Sequence, residues 1–188
     1  MIETIYQKIR EAFPGRELVP GEGNPNAHIM LIGEAPGRTE VEQMRPFVGT
    51  AGKNLDRFLE NIAFKRKDIY ITNAVKFRPT RISEKGTASN RPPTTDEILA
   101  QRELLMEEVE AVGPKVIVTL GNVPLKSVLN DMRAAIGAHH GRAEQLADSG
   151  RYLFPLYHPA SIIYRKELET VYEQDLLKLA EFIETLKF

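Results

Sequence analysis

The stretch Ile29-Met30-Leu31-Ile32-Gly33-Glu34-Ala35-Pro36-Gly37 carries the sharpest change of character in the chain. A short apolar run stops at Gly33, and a carboxylate, a proline and a second glycine follow at once. Such a run, bounded by turn formers, reads as a strand buried on both faces. Its C-terminal end delivers Glu34 into a tight loop, where open α/β sheets hold their ligands. Soon after comes Pro46-Phe47-Val48-Gly49-Thr50-Ala51-Gly52, a second glycine-punctuated loop around an aromatic residue.

Working outward, three more stretches read as buried strands. Residues 68–75 are β-branched with Asn73 near their end, residues 115–121 are almost wholly apolar, and residues 152–156 lead into Tyr157-His158-Pro159-Ala160-Ser161. Between them the apolar period becomes helical. Leu55, Phe58, Leu59 and Ile62 make one such face, and Leu104, Leu105, Val109 and Val112 make another behind a cap at Thr94 or Thr95. Asn122 is expected to cap a helix carrying Val123, Leu125, Val128 and Leu129, and a last helix is expected over residues 166–186. Ile2, Ile5, Ile9 and Phe13 give a short helix at the start. Residues 77–93 read as a long polar loop, and residues 137–150 as loop and turn. Strands alternating with helices predict an α/β fold, three-layer α/β/α with a central four-stranded parallel sheet. No repeat or composition break divides it, so one domain over residues 1–188 is expected. Glu34, Asn73 and His158 each follow a strand and converge on one edge of that sheet.

Bulk properties narrow the classes. With 42% hydrophobic residues in 188, the chain can bury a proper core. No apolar run approaches the roughly 18–20 residues of a membrane span. The start, Met1-Ile2-Glu3-Thr4, carries charge too early for a signal peptide, so a cytoplasmic location is expected. Zero cysteines exclude a disulfide framework and a thiolate metal site. The net charge of −1 weighs against a dedicated nucleic-acid binder. Between positions 76 and 91, however, Lys76, Arg78, Arg81, Lys85 and Arg91 face Glu84 alone. That excess reads either as a solvated loop or as a phosphate-contacting patch.

A carboxylate, a carboxamide and an imidazole at strand ends can handle a polar heterocycle. Asn73 offers one acceptor and two donors, enough to pair with both an N–H and a C=O of a planar ring. Phe47 offers a stacking face. Each residue also has a plainer use: Glu34 as a cap in its own turn, Asn73 as a strand terminator, Phe47 as core, His158 as loop. There is no GxGxxG fingerprint and no P-loop.

Taken together, these motifs resemble the family-four uracil-DNA glycosylases. Gly33-Glu34-Ala35-Pro36-Gly37 with Glu40 and residues 46–52 is similar to that family's first motif. Thr72-Asn73-Ala74-Val75-Lys76 with Arg78-Pro79 is similar to its middle motif, residues 114–121 to its third strand, and residues 157–161 to its closing loop. The resemblance covers the chain from about Val19 to its end. It implies excision of uracil from DNA, and leaves open other deaminated bases. The implied catalytic residues are Glu34, orienting or deprotonating water, and His158, hydrogen-bonding O2 of the departing base. The base-binding residues implied are Asn73 as reader, Phe47 as stacking ring, Glu40 crowding the space of a thymine methyl, and Ala35. The DNA contacts implied are Lys76, Arg78, Arg81, Arg91, Ser161 and the candidate wedge Ile162. Uracil-containing DNA is the expected partner, and a monomer the expected state.

The chain departs from the family in two respects, a longer stretch from Arg81 to Arg91 and the missing cluster ligands. Family-four enzymes hold a four-iron, four-sulfur cluster on four cysteines, and this chain has none. Phe77 and Gln101 stand where two cysteines are expected, and the N-terminal helix lacks the usual pair. No cluster and no other cofactor or metal is therefore expected. The alternative of the same fold is a catalytically weak uracil- or DNA-binding module, against which the retained Glu34 argues.

Overall fold

In the computed structural model, which describes residues 1–61, 64–147 and 149–187, the chain begins α1 (Ile2–Ala12), β1 (Glu22–Gly23), β2 (Ile29–Gly33), α2 (Arg38–Gln43), α3 (Thr50–Asn61) and β3 (Tyr70–Asn73). A hairpin of β4 (Thr80–Ile82) and β5 (Ala88–Asn90) follows, then α4 (Thr95–Val112), β6 (Val116–Leu120), α5 (Asn122–Leu129) and α6 (Ile136–His139). The chain closes with β7 (Glu144–Gln145), β8 (Tyr152–Leu156), α7 (Pro159–Tyr164) and α8 (Glu169–Leu186).

β3, β2, β6 and β8 pair in parallel in that order, which is the expected four-stranded core. Among the described residues the sheet is wider than expected. Two-residue strands pair antiparallel at its edges, β1 beside β3 and β7 beside β8. Runs as short as Glu22-Gly23 carry no period of their own, so only the neighbouring strand makes them strands.

All five residues of β2 and of β6 are buried, as cover on both faces requires. Alternation sorts their side chains into two cores. Met30, Ile32 and Ile117 join Ile5, Leu105 and Leu125, the layer of α1, α4 and α5. Ile29, Leu31, Val116 and Val118 join Leu55, Ile162 and Leu179, the layer of α3, α7 and α8. Each such side chain contributes about 1.5–3 kcal/mol by leaving water.

The ends of α4 follow their residues. Thr94 and Glu97 each accept the other's backbone N–H, and Gly113 in the left-handed region stops the helix. Elsewhere local reading is overruled. Asn122 does not cap α5. Gly121 holds that position, and Asn122 Oδ1 instead accepts from Ile136 N at 2.8 Å. Residues 77–93 contain the β4–β5 hairpin, and residues 137–150 contain part of α6 and all of β7. Of the helical face expected after Thr50, Leu55 and Leu59 are buried, while Ile62 lies outside the described residues.

The chain passes from β2 to β3 on one side and then to β6 on the other. Connections therefore diverge beside β2 and open a crevice at the C-terminal strand ends, the usual ligand position in such sheets.

Candidate active site

Gly33 and Asn73 stand side by side as the last register pair of β2 and β3. A Cβ on Gly33 would fall 2.4 Å from Asn73 Oδ1 and 2.4 Å from Phe47 Cζ, so glycine is what lets both side chains reach the crevice. Asn73 is buried, and its own carbonyl accepts from Lys76 Nζ at 2.6 Å. Among the described residues nothing hydrogen-bonds its carboxamide, which lines a cavity of about 350 Å³.

Phe47 enters the same cavity with φ at 54°, a costly left-handed conformation for an aromatic residue. Arg66 holds it there: Nη2 donates to Pro46 O at 2.8 Å and to Phe47 O at 3.0 Å. The Phe47 ring is buried and stacks against the His158 imidazole, centroids 6.0 Å apart. Glu40 ties this loop to the preceding one. Its Oε2 accepts from Gly37 N at 3.1 Å, and Oε1 accepts from Val48 N at 3.1 Å and Gly49 N at 2.8 Å. The carboxylate lines the cavity, but its oxygens serve the backbone of two loops.

His158 sits at the N-terminus of α7, where Nδ1 accepts from Ala160 N at 3.1 Å. The ring proton therefore lies on Nε2. Burial pushes the imidazole down to about 4, against the pull of the nearby Glu40 carboxylate, so the ring is neutral at pH 7. Gly121 closes in behind it at φ 92°, where a Cβ would lie 3.2 Å from His158 Cβ. Glu34 lines an adjoining cavity of about 380 Å³ with Pro36, Arg91, His158 and Ser161. Burial raises its carboxyl above 4.5, toward the range of a useful base. Ala35, Gly37, Asn90, His158 and Ala160 are common to both cavities. A larger groove of about 720 Å³ lies between α1 and α4, far from the strand ends, and its rim pair Lys8–Glu107 closes on itself.

The expected DNA contacts divide. Lys76 is not one. Its side chain is 1% exposed, and Nζ donates to Thr72 Oγ1, to Asn73 O and to the Glu108 carboxylate. Tyr6 and Tyr70 hydroxyls complete that carboxylate's shell at 2.5 and 2.9 Å. A lysine buried without such partners would lose its charge. Ile162 is not a wedge: it is buried in the core shared with α3 and α8. Arg91 spends its guanidinium on Glu97, at 2.7 and 2.8 Å, and on Thr80 O. Arg78 donates to Asn90 Oδ1 at 2.6 Å, Arg81 is exposed, and Ser161 borders the Glu34 cavity. Two site residues escaped sequence reading, Asn90 at the cavity mouth and Arg66 behind Phe47. Neither breaks a pattern, since Asn90 ends a polar stretch and Arg66 sits among Lys65, Lys67 and Asp68.

The cluster positions hold other chemistry. Phe77 is buried with its ring 5.6 Å from Phe13, and the Arg16 guanidinium lies over it at 4.7 Å. Gln101 is buried and accepts from Lys76 N at 2.8 Å. These residues offer no sulfur ligand, so they do not fit an iron–sulfur cluster.

The fold and these strand-end groups define an α/β protein with a pocket lined by a carboxamide, an aromatic ring and an imidazole. The family model of the Uracil DNA glycosylase superfamily matches residues 20–186, and the chain belongs to that superfamily. It is 38% identical to a type-4 uracil-DNA glycosylase of Archaeoglobus fulgidus over 87% of this chain and 80% of that protein. Identity to the type-4 uracil-DNA glycosylase of Saccharolobus solfataricus is 39% over 88% of this chain and 76% of that one. The crystal structure of wild-type SMUG2 from Pedobacter heparinus shares the fold, with a TM-score of 0.54 at 18% identity over 86% of this chain and 76% of its own.

Proposed function

We propose that this protein is a monofunctional uracil-DNA glycosylase that opens base-excision repair, acting as a one-domain, cytoplasmic monomer. The observation that carries the reading is the Asn73 carboxamide, without a hydrogen-bond partner among the described residues and set in one cavity with the Phe47 ring and neutral His158. Uracil offers N3–H and O4 to such a group, and cytosine reverses that order. A buried mismatch leaves polar groups unpaired, which can cost roughly 10⁴–10⁵ in selectivity. The base reaches the cavity by leaving the stack.

In the reaction the bond from the sugar C1′ to uracil N1 breaks, and its electron pair stays on the base. Phe47 holds the ring, and His158 Nε2–H donates to O2 where that charge collects. A neutral donor suits the task, because a buried imidazolium would first have to be charged. Glu34 faces the sugar side, offsets the positive charge there and takes the proton of the attacking water. Asn90 supplies a second carboxamide beside that water's path. The catalyst works without an iron–sulfur cluster, the packing around Phe77 and Gln101 standing in its place.

The test is a single-uracil oligonucleotide incubated with the protein in EDTA, then treated with alkali. Strand breaks at the uracil are expected. Their absence at high protein excess overturns the reading, and a broad visible absorbance band in the purified protein overturns its cluster-free form.

A further inference from the structure

The β4–β5 hairpin is a braced ribbon. Gly86 N donates to Ser83 O at 2.9 Å in its turn, and Arg91 donates to Thr80 O at its base while gripping Glu97. Arg78 secures the opposite strand through Asn90 Oδ1. Its register pairs Thr80 with Asn90, Arg81 with Ser89 and Ile82 with Ala88. Directly paired residues share a face, and faces alternate along a strand. Thr80, Ile82, Ala88 and Asn90 are therefore on one side, and Arg81 is on the other beside Ser89.

Asn90 lines both cavities, so its face is the one turned toward the site. Two residues along on that face, about 7 Å farther out, Ile82 is 73% exposed. A lone exposed isoleucine is commonplace. This one pairs with Ala88 on the face that also carries the cavity residue Asn90, on a ribbon whose exposed charges include Arg81 and Lys85 against Glu84. An apolar residue between cations, on the face that leads outward from a base-sized cavity, complements a polyanion with stacked bases.

We infer that this hairpin enters the DNA duplex beside the extruded nucleotide, with Ile82 packed against the vacated base step and Arg81 and Lys85 on the flanking phosphates. The inference rests on the glycosylase reading and assigns it a duplex-opening element. It also supplies what buried Ile162 cannot.

The experiment compares wild type, Ile82→Ser and Ile82→Leu on duplex and single-stranded uracil substrates. Only the duplex needs a base prised from a pair, so Ile82→Ser is expected to lower the duplex-to-single-strand ratio of kcat/KM about tenfold, and Ile82→Leu to keep it. An unaltered ratio in Ile82→Ser overturns the inference. Should wild type cut neither substrate, the glycosylase reading fails by itself. The hairpin is then judged by 2-aminopurine placed beside deoxyuridine in a duplex, whose fluorescence rises with wild type and stays flat with Ile82→Ser. Equal rises, or none with wild type, overturn it.

Discussion

Gly33 Cα and the Asn73 carboxamide are so close that one added methyl at Gly33 would sit 2.4 Å from Asn73 Oδ1. The same methyl would strike Phe47 Cζ at 2.4 Å, so a single position sets the placement of both the Asn73 carboxamide and the Phe47 ring, the proposed reading and stacking groups. Gly33→Ala should therefore lower kcat/KM on uracil DNA by about 100-fold, the usual effect of a displacement near 1 Å. Thermal unfolding should move far less than activity. Near-normal kinetics in this variant would show that the two side chains are not held by that contact.

Asn73→Asp replaces a group that can donate and accept with one that, when ionised, only accepts. It should abolish the preference for uracil over cytosine, read as the ratio of alkali-labile breaks in matched oligonucleotides. Full uracil activity in this variant would remove Asn73 as the reader.

On the proposed mechanism, the pH profile separates the roles of Glu34 and His158. Burial raises the Glu34 carboxyl above 4.5, and the base is needed ionised, so kcat/KM should climb with pH along one acid limb displaced above the ordinary carboxylate range. No inflection near 6.5 is expected, because His158 is depressed to about 4. That depression also acts on stability. The unfolded chain binds the proton from 6.5 downward and the native one only near 4, so stability should fall as pH drops across that window. His158→Gln should flatten the window in a plot of Tm against pH, and Glu34→Gln should cut kcat about 10²–10⁴-fold.

Lys76 is a cation that serves the fold, and removing it leaves the Glu108 charge buried without its partner. Lys76→Met should cost about 3–5 kcal/mol, or roughly 10 °C in Tm. The slope of log binding constant against log salt should stay as in wild type. Arg81→Ala should do the reverse, sparing Tm and lowering that slope by about 0.7–0.9.

Most of what was legible in the sequence rested on burial. Runs such as Val116-Ile117-Val118 are covered on both faces, and nothing but a central strand satisfies them. Glu34, Asn73, Phe47 and His158 were visible because each interrupts or follows such a run, and the structure brings all four to the adjoining cavities. What stayed hidden depends on partners distant in sequence. Lys76 looks like any loop cation until Glu108 arrives from α4, 32 residues on. Ile162 looks exposed after a loop, yet α7 turns it inward. The hairpin is stabilised by cross-strand pairs and by Arg91, neither of which shows as a period in residues 80–90.

The Glu108 carboxylate has one more consequence. Tyr6 donates to it from α1 while accepting from Gly21 N at 2.5 Å, and Lys76 passes the connection on to the Asn73 carbonyl. On the proposed reading, the first helix thus steadies the group that discriminates bases, though no atom of it borders the cavity. Trimming or crowding the N-terminus, as a fusion partner would, should show itself as errors in choosing the base before it shows as a loss of folded protein.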